Sequence, residues 1–489
     1  MSMHLKHSAG IPPSARMDRR GPVWGRPVFR GNAQVFVEHQ PRNTKGANAG
    51  NTRILQKAAY LFLWLFAFAM PWENALRIPG FGTVSRAVGL AAFGVGLMAV
   101  LDSGRLRTPT VQHILMVLFV TWVGLTYFWS FEPSRTRIAA ITFLQLLAMV
   151  WLIWEFAQTW KQQILLLRAF VLGTLVSSIA IVLSFLSGPA TGAGGTYYGR
   201  YTGLGFNPGD LALILALSLP ISLYLAARDE GWRFRVWFYG VHLVLAISAI
   251  LLAASRGALI ASAGALLMLP VAFSQLTRGQ KTVGVTLVAL LGVGAAFTVP
   301  QSSWSRLGTI GAEVSSGTLN ERTMIWQAGW VVFGQSPFRG VGAAAFAPSV
   351  EHAMGMPFHG AGSDDGGPVN VELVAHNTFI SVLVEQGVIG FALFLAILLT
   401  LVFSAWQFPV VDRVFWLSLL LTWAIGVSSL TWEDRKPSWF IFGILAAAAA
   451  AQIPSINKAR RSRPTPGPRL EFGPRGPMPA RGAQFGRWS

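Results

Sequence analysis

There is no cysteine in the chain, so neither a disulfide framework nor a thiolate-held metal can organise it. Charge is scarce: Asp, Glu, Lys and Arg make up 12% of the residues, about half of the ~25% usual in soluble domains. Acidic residues are the scarcer kind, 20 against 39 basic. Familiar chemical signatures are missing too. There is no Walker A sequence, no strand-borne GxGxxG, no HExxH and no Asp-x-Asp pair of the kind that holds a nucleotide sugar through a metal. Residues 1–53 lack an apolar run, so they do not read as a cleaved secretory signal.

Apolar sequence is what the chain has in abundance, with 53% hydrophobic residues, 19 Trp and 51 Gly. Twelve segments are long enough to span a bilayer: 54–71, 84–101, 111–130, 136–157, 163–187, 209–227, 235–253, 257–275, 281–299, 376–404, 413–430 and 437–454. The expected fold is therefore all-α, a polytopic membrane protein of about twelve transmembrane helices. The seventh and eighth segments are separated only by Ala254, Ser255, Arg256 and Gly257, which reads as a tight hairpin. Three regions follow: a basic tail over 1–53, a membrane domain over 54–454, and a second basic tail over 455–489. Both tails are expected to be disordered, since neither can bury enough apolar surface.

A net charge of +19 would suggest nucleic acid in a soluble protein. Here the excess sits in tails and short loops, where it reads as a signal holding both termini in the cytoplasm of a bacterial inner-membrane protein, with no nucleic-acid partner. Residues 300–375 then form one large periplasmic loop containing short helices, for example over Asn320–Phe333. Loops on a rigid scaffold are where chemistry usually sits.

Two constellations stand out. His376 lies at the outer mouth of the tenth segment, where the dipole of the following helix disfavours imidazolium and leaves the ring available as a base. An interfacial histidine bonded to a loop carbonyl is the plainer alternative. Arg200, Arg256, Arg322 and Arg339 all fall on the same face, and guanidinium groups bind phosphate oxygens bidentately. Each could instead cap a helix or meet a lipid headgroup. Arg306 reads as a surface charge whose loss is near neutral. Glu385 lies within the tenth segment, nine residues after His376 and so about 13 Å deeper on the opposite side of the helix, and reads as a structural partner between helices; Gly387 and Gly390 suit close helix packing. Asp364 and Asp365 read as a solvated acidic stretch, with cation binding the less favoured alternative.

Four stretches together resemble the O-antigen ligase and O-antigen polymerase superfamily of bacterial membrane glycosyltransferases. They are Arg200–Pro208, the Ser255-Arg256-Gly257-Ala258 turn, Arg322 to Trp326 followed by Pro337–Gly342, and His376-Asn377 followed by Glu385, Gly387 and Gly390. The resemblance covers roughly residues 54–454. It implies that Arg256 and Arg322 contact the pyrophosphate of an undecaprenyl-linked glycan donor and that His376 is the base for the acceptor, with Arg200 carried over less firmly. The acceptor would be lipid A core, for a ligase, or a growing polysaccharide, for a polymerase. Such chemistry needs neither metal nor cofactor, because the pyrophosphate is already a good leaving group. A twelve-span secondary transporter is the rival from another class; it would need polar or broken helices at mid-membrane.

Overall fold

The computed structural model describes residues 45–80, 82–188, 200–228, 234–308, 322–355 and 373–461. Most of both tails, the pair Asp364 and Asp365, and Asn320 and Glu321 lie outside the described residues. The first half of the chain forms α1 (Lys45–Ala69), α2 (Val84–Ser103), α3 (Val111–Leu125), α4 (Pro133–Phe156), α5 (Trp160–Leu186), α6 (Pro208–Arg228) and α7 (Arg235–Leu252). The second half forms α8 (Arg256–Ser262), α9 (Met268–Gln275), α10 (Arg278–Thr298), α11 (Gln301–Gly308), α12 (Arg322–Gln335), α13 (Phe346–Ala353), α14 (Thr378–Trp406), α15 (Val410–Val427) and α16 (Lys436–Arg461). Among the described residues the strands are one antiparallel pair, Arg77–Ile78 with Gly82–Thr83.

The protein is an all-α polytopic membrane protein. Away from water every backbone N–H and C=O must be satisfied within its own segment, which leaves long apolar runs no choice but the helix. Among the described residues ten helices are long and apolar enough to cross a membrane. The ninth and twelfth expected segments are helical as well, within α10 and α16. α1 starts at Lys45 and α16 runs to Arg461, so both helices continue past their apolar segments into the basic tails.

α6 is the axis of the bundle. Every residue from Leu211 to Ser222 is buried, as expected of a helix apolar on all sides. It is wrapped by α5, α7, α8, α9 and α15. At its C-terminal end Tyr224 and Arg228 both donate to Asp412 of α15, at 2.6 and 3.0 Å, so that acid is matched by two donors. The hairpin between α7 and α8 forms as expected, but its second arm packs chiefly on α6 and α15.

Successive helices bring one set of connections to the same end of the bundle. Thr378 donates to Leu430 O at 2.9 Å, a Cβ on Gly257 would fall 2.0 Å from Ser429 Oγ, and one on Gly205 would fall 3.2 Å from Asn74 O. Of the long loop, α11 packs on α7, and α12 and α13 pack on α14. α12 realises the helix expected over Asn320–Phe333.

The loop is fastened through a break in α14. Gly387 has φ 64° and ψ −174°, a conformation essentially reserved for glycine. Across the break Val388 N–H donates to Pro337 O at 2.8 Å, and Gly342 N–H donates to Glu385 O at 2.9 Å. A Cβ on Gly387 would lie 2.3 Å from Phe338 O. Gly387 therefore serves loop docking rather than the helix packing expected of it, while Gly390 does face the Trp122 ring of α3. The Glu385 side chain accepts from Ala344 N–H at 2.8 Å and Phe346 N–H at 3.2 Å, capping the start of α13. Its role is structural.

Candidate active site

His376 takes φ 48°, a left-handed conformation uncommon outside glycine, though several-fold enriched in histidine. Contacts on both sides hold it there. Trp326 of α12 donates its indole N–H to Ala375 O at 2.8 Å. Asn377 caps α14 by accepting from Phe379 N–H at 2.9 Å and Ile380 N–H at 3.1 Å. Thr378 Oγ1 accepts from Trp432 N–H at 2.7 Å. A strained residue over-determined by its neighbours is a frequent mark of a functional site.

Burial holds the His376 imidazole below its ordinary range, the Arg322 guanidinium lowers it further, and Asp210 opposes both. The ring is therefore neutral at neutral pH. Arg322 opens α12 one turn before Trp326, so the indole that positions His376 and the guanidinium beside it share one helix face. Burial, and then Arg306, push the Arg322 guanidinium down. Arg256, Arg306 and Arg322 are in electrostatic reach of one another. Arg256 is placed by the Ser255 cap, whose Oγ accepts from Ala258 N–H at 3.5 Å, and by Gly257, which lets the turn approach Ser429.

Arg200 stands next to this group rather than within it. Its Nε donates to Ala253 O at 3.0 Å, and Tyr201 N–H donates to Leu252 O at 3.1 Å, so the segment braces the turn that carries Arg256. Arg339 goes elsewhere. It lies over the Trp129 ring at 5.9 Å, and its carbonyl accepts from Trp129 Nε1 at 3.2 Å. Arg322 thus stands beside His376, and Arg256 and Arg306 lie in reach of Arg322, where sequence reasoning had put Arg339. Arg306, read from sequence as a surface charge, is brought by α11 within electrostatic reach of Arg256 and Arg322.

Sequence reasoning also missed the acids. Asp210, in the first turn of α6, accepts from Trp432 Nε1 at 2.8 Å and acts on both His376 and Arg435. Glu433 accepts from Ser381 Oγ at 2.7 Å through Oε1, while its buried Oε2 has no hydrogen-bond partner among the described residues. Burial first, then Asp434, raise the Glu433 carboxyl to about 7. Lys436 pairs with Glu73. One signal was there to read: Glu433 to Lys436 are four consecutive charged residues in a chain with few, whereas Asp210, the one acid of α6, is an ordinary helix-start acid in the sequence. Among the described residues no group of three His, Asp or Glu side chains is placed to hold a metal ion.

The arrangement offers a neutral base next to a desolvated site for two or more negative charges. It matches one family description. Residues 241–395 match the O-antigen ligase family. The match bears out the superfamily resemblance, spans three of the four motif stretches, and supports a membrane enzyme of the ligase or polymerase type. It includes Arg256, Arg306, Arg322, Arg339 and His376, and leaves Arg200, Asp210 and the charges at 433–436 outside. No curated protein matches the chain.

Proposed function

We propose that the protein is a glycosyltransferase that moves a glycan from undecaprenyl pyrophosphate to an acceptor hydroxyl, on lipid A core or a growing polysaccharide, at the periplasmic face of the bacterial inner membrane. The observation that carries this reading is the neutral His376 beside Arg322, with Arg256 and Arg306 in electrostatic reach of Arg322. The acceptor O–H gives its proton to the imidazole as its oxygen attacks the anomeric carbon. The bond from that carbon to the pyrophosphate oxygen breaks on the opposite side, inverting the centre. The negative charge gathering on the leaving undecaprenyl pyrophosphate is met by the arginines, whose charge is already in place. Their guanidinium groups supply what a divalent cation provides in nucleotide-sugar enzymes, so the step as written uses no metal.

A polymerase acting on a lipid-linked repeat would use the same chemistry with another acceptor. Deletion separates the two: accumulation of free lipid-linked polymer indicates a ligase, and core capped by single repeats indicates a polymerase. Transport is disfavoured by the break in α14. Transporters leave such backbone groups to coordinate ions, whereas those at Val388, Ile389, Val384 and Glu385 are engaged by residues 337–342.

The direct test is transfer by purified protein from a lipid-pyrophosphate glycan to core acceptor, with release of undecaprenyl pyrophosphate. No transfer by protein that binds the donor would refute the enzyme reading. For orientation, a cysteine at exposed Ala353 should react with an impermeant reagent in spheroplasts while one at Gln275 should not. The reverse pattern would invert the topology.

A further inference from the structure

The end of the bundle opposite the long loop carries a basic hollow with no part in glycan transfer. α4 starts at Pro133, beside the loop, and reaches Glu155 and Phe156 after 22 residues, a rise of ~33 Å at 1.5 Å per residue. Two adjoining cavities of about 280 and 430 Å³ open there, sharing Gln56, Glu155, Phe156 and Gln158 as a common wall. Arg105 and Arg107 line the smaller; Arg53 and Lys57 line the larger. Arg53 and Lys57 are four residues apart on α1 and so share one face.

Four cations meet one carboxylate, and that carboxylate is already engaged: Glu155 Oε1 accepts from Arg107 N–H at 2.8 Å. Arg107 is fixed in place. Its guanidinium stacks 3.4 Å over the Trp154 ring and donates to Trp154 O at 2.9 Å. Among the described residues Arg53, Lys57 and Arg105 make no ion pair. A concave site with an excess of cations at the edge of the bilayer is suited to a phosphate ester.

We propose that this hollow binds one phosphate group, the headgroup phosphate of an anionic phospholipid or that of a soluble phosphorylated metabolite, at the membrane face opposite the catalytic centre. Ordinary topology cations would bind headgroups diffusely and interchangeably. A built site binds one and depends on which cations are removed.

The experiment is native mass spectrometry of the full-length protein with added dioctanoyl phosphatidylglycerol, dioctanoyl phosphatidylcholine or glycerol 3-phosphate. Wild type is expected to retain one phosphatidylglycerol and no phosphatidylcholine under activation. The triple variant Arg53→Ala/Lys57→Ala/Arg105→Ala should bind at least tenfold more weakly. The charge-keeping variant Arg53→Lys/Lys57→Arg/Arg105→Lys should bind within a few fold of wild type. Arg278→Ala/Lys281→Ala removes two cations from the same face outside the hollow and should change nothing. Retention of glycerol 3-phosphate, competing with the lipid, would assign the site to a soluble phosphate; its failure to compete would assign the lipid. Should the triple variant fail to fold, Arg105→Ala alone, in a loop, is expected to weaken binding several-fold. Equal loss in the Arg278/Lys281 control, or no retained phosphate compound on wild type, would overturn the proposal.

Discussion

The indole N–H of Trp326 is bonded to the carbonyl of Ala375 at 2.8 Å, so the helix that begins with Arg322 also sets the residue before His376. The proposed phosphate-binding and proton-accepting parts are thereby mechanically joined. Trp326→Phe keeps most of the packing and removes the bond. A hydrogen bond is worth about 0.5–1.5 kcal/mol net, which corresponds to roughly 2- to 12-fold in rate if carried into the transition state. Turnover per folded molecule should fall by that amount with little change in melting temperature. An unchanged turnover would uncouple the two parts.

Arginine substitutions should separate the cluster from the other arginines. Arg322→Ala is expected to reduce transfer by roughly 10²–10³-fold, the scale of losing one preorganised donor. Arg322→Lys should be intermediate, since lysine lacks the bidentate fork. Arg306→Ala should cost at least tenfold, whereas Arg339→Ala, on Trp129, should leave turnover nearly unchanged. The comparison is turnover at saturating donor; equal effects of Arg306→Ala and Arg339→Ala would remove Arg306 from the site.

His376→Ala should lose roughly 10²-fold or more in turnover while retaining donor binding. His376→Gly suits the φ of 48°, so it should melt no lower than wild type and still be inactive; a packing role would instead give less folded protein. In wild type, activity should fall as pH drops through a pKa below the usual histidine range, because protonation consumes the base. Asp210 raises that pKa, so Asp210→Asn should move the acid limb to lower pH and slow the reaction at neutrality. An acid limb unmoved by Asp210→Asn would mean that another group titrates.

Glu433 gives a stability signature. Its carboxyl ionises near ~4.3 in an unfolded chain but at about 7 in the fold. Between those values the folded state holds the extra proton, so stability falls as pH rises through the window and levels off above it. Glu433→Gln should flatten that slope. Thermal unfolding of both proteins at pH 5, 6 and 8 reads the difference, and parallel curves would place the ionisation elsewhere.

The helical scaffold was legible because the bilayer leaves apolar runs one solution, and the hairpin at Arg256 because four residues interrupt two of them. His376 stood out by residue type at a span's mouth and Arg256 at a hairpin tip, while Arg322, inside the long loop, was singled out as an outer-face arginine and by the resemblance. Arg306 was not, since only the path of α11 brings it to Arg322. Asp210 was not, since an acid at a helix start is ordinary until Trp432 and His376 are seen around it. The break in α14 left no trace in hydropathy: Gly387 looks like a packing glycine until residues 337–342 dock against it. Arg339 shows the converse, a motif arginine drawn off by the nearby Trp129 ring.

That docking has an evolutionary consequence. Closing a loop costs entropy that grows only with the logarithm of its length, about 0.6 kcal/mol per doubling. An excursion of about 75 residues that is tied at its midpoint to α14, and again from Trp326 to Ala375, behaves as several short loops closed independently. Insertions or replacements between the ties can then reshape the surface an acceptor meets without displacing Arg322 or His376. Acceptor choice can drift quickly in such a molecule while its chemistry stays constant.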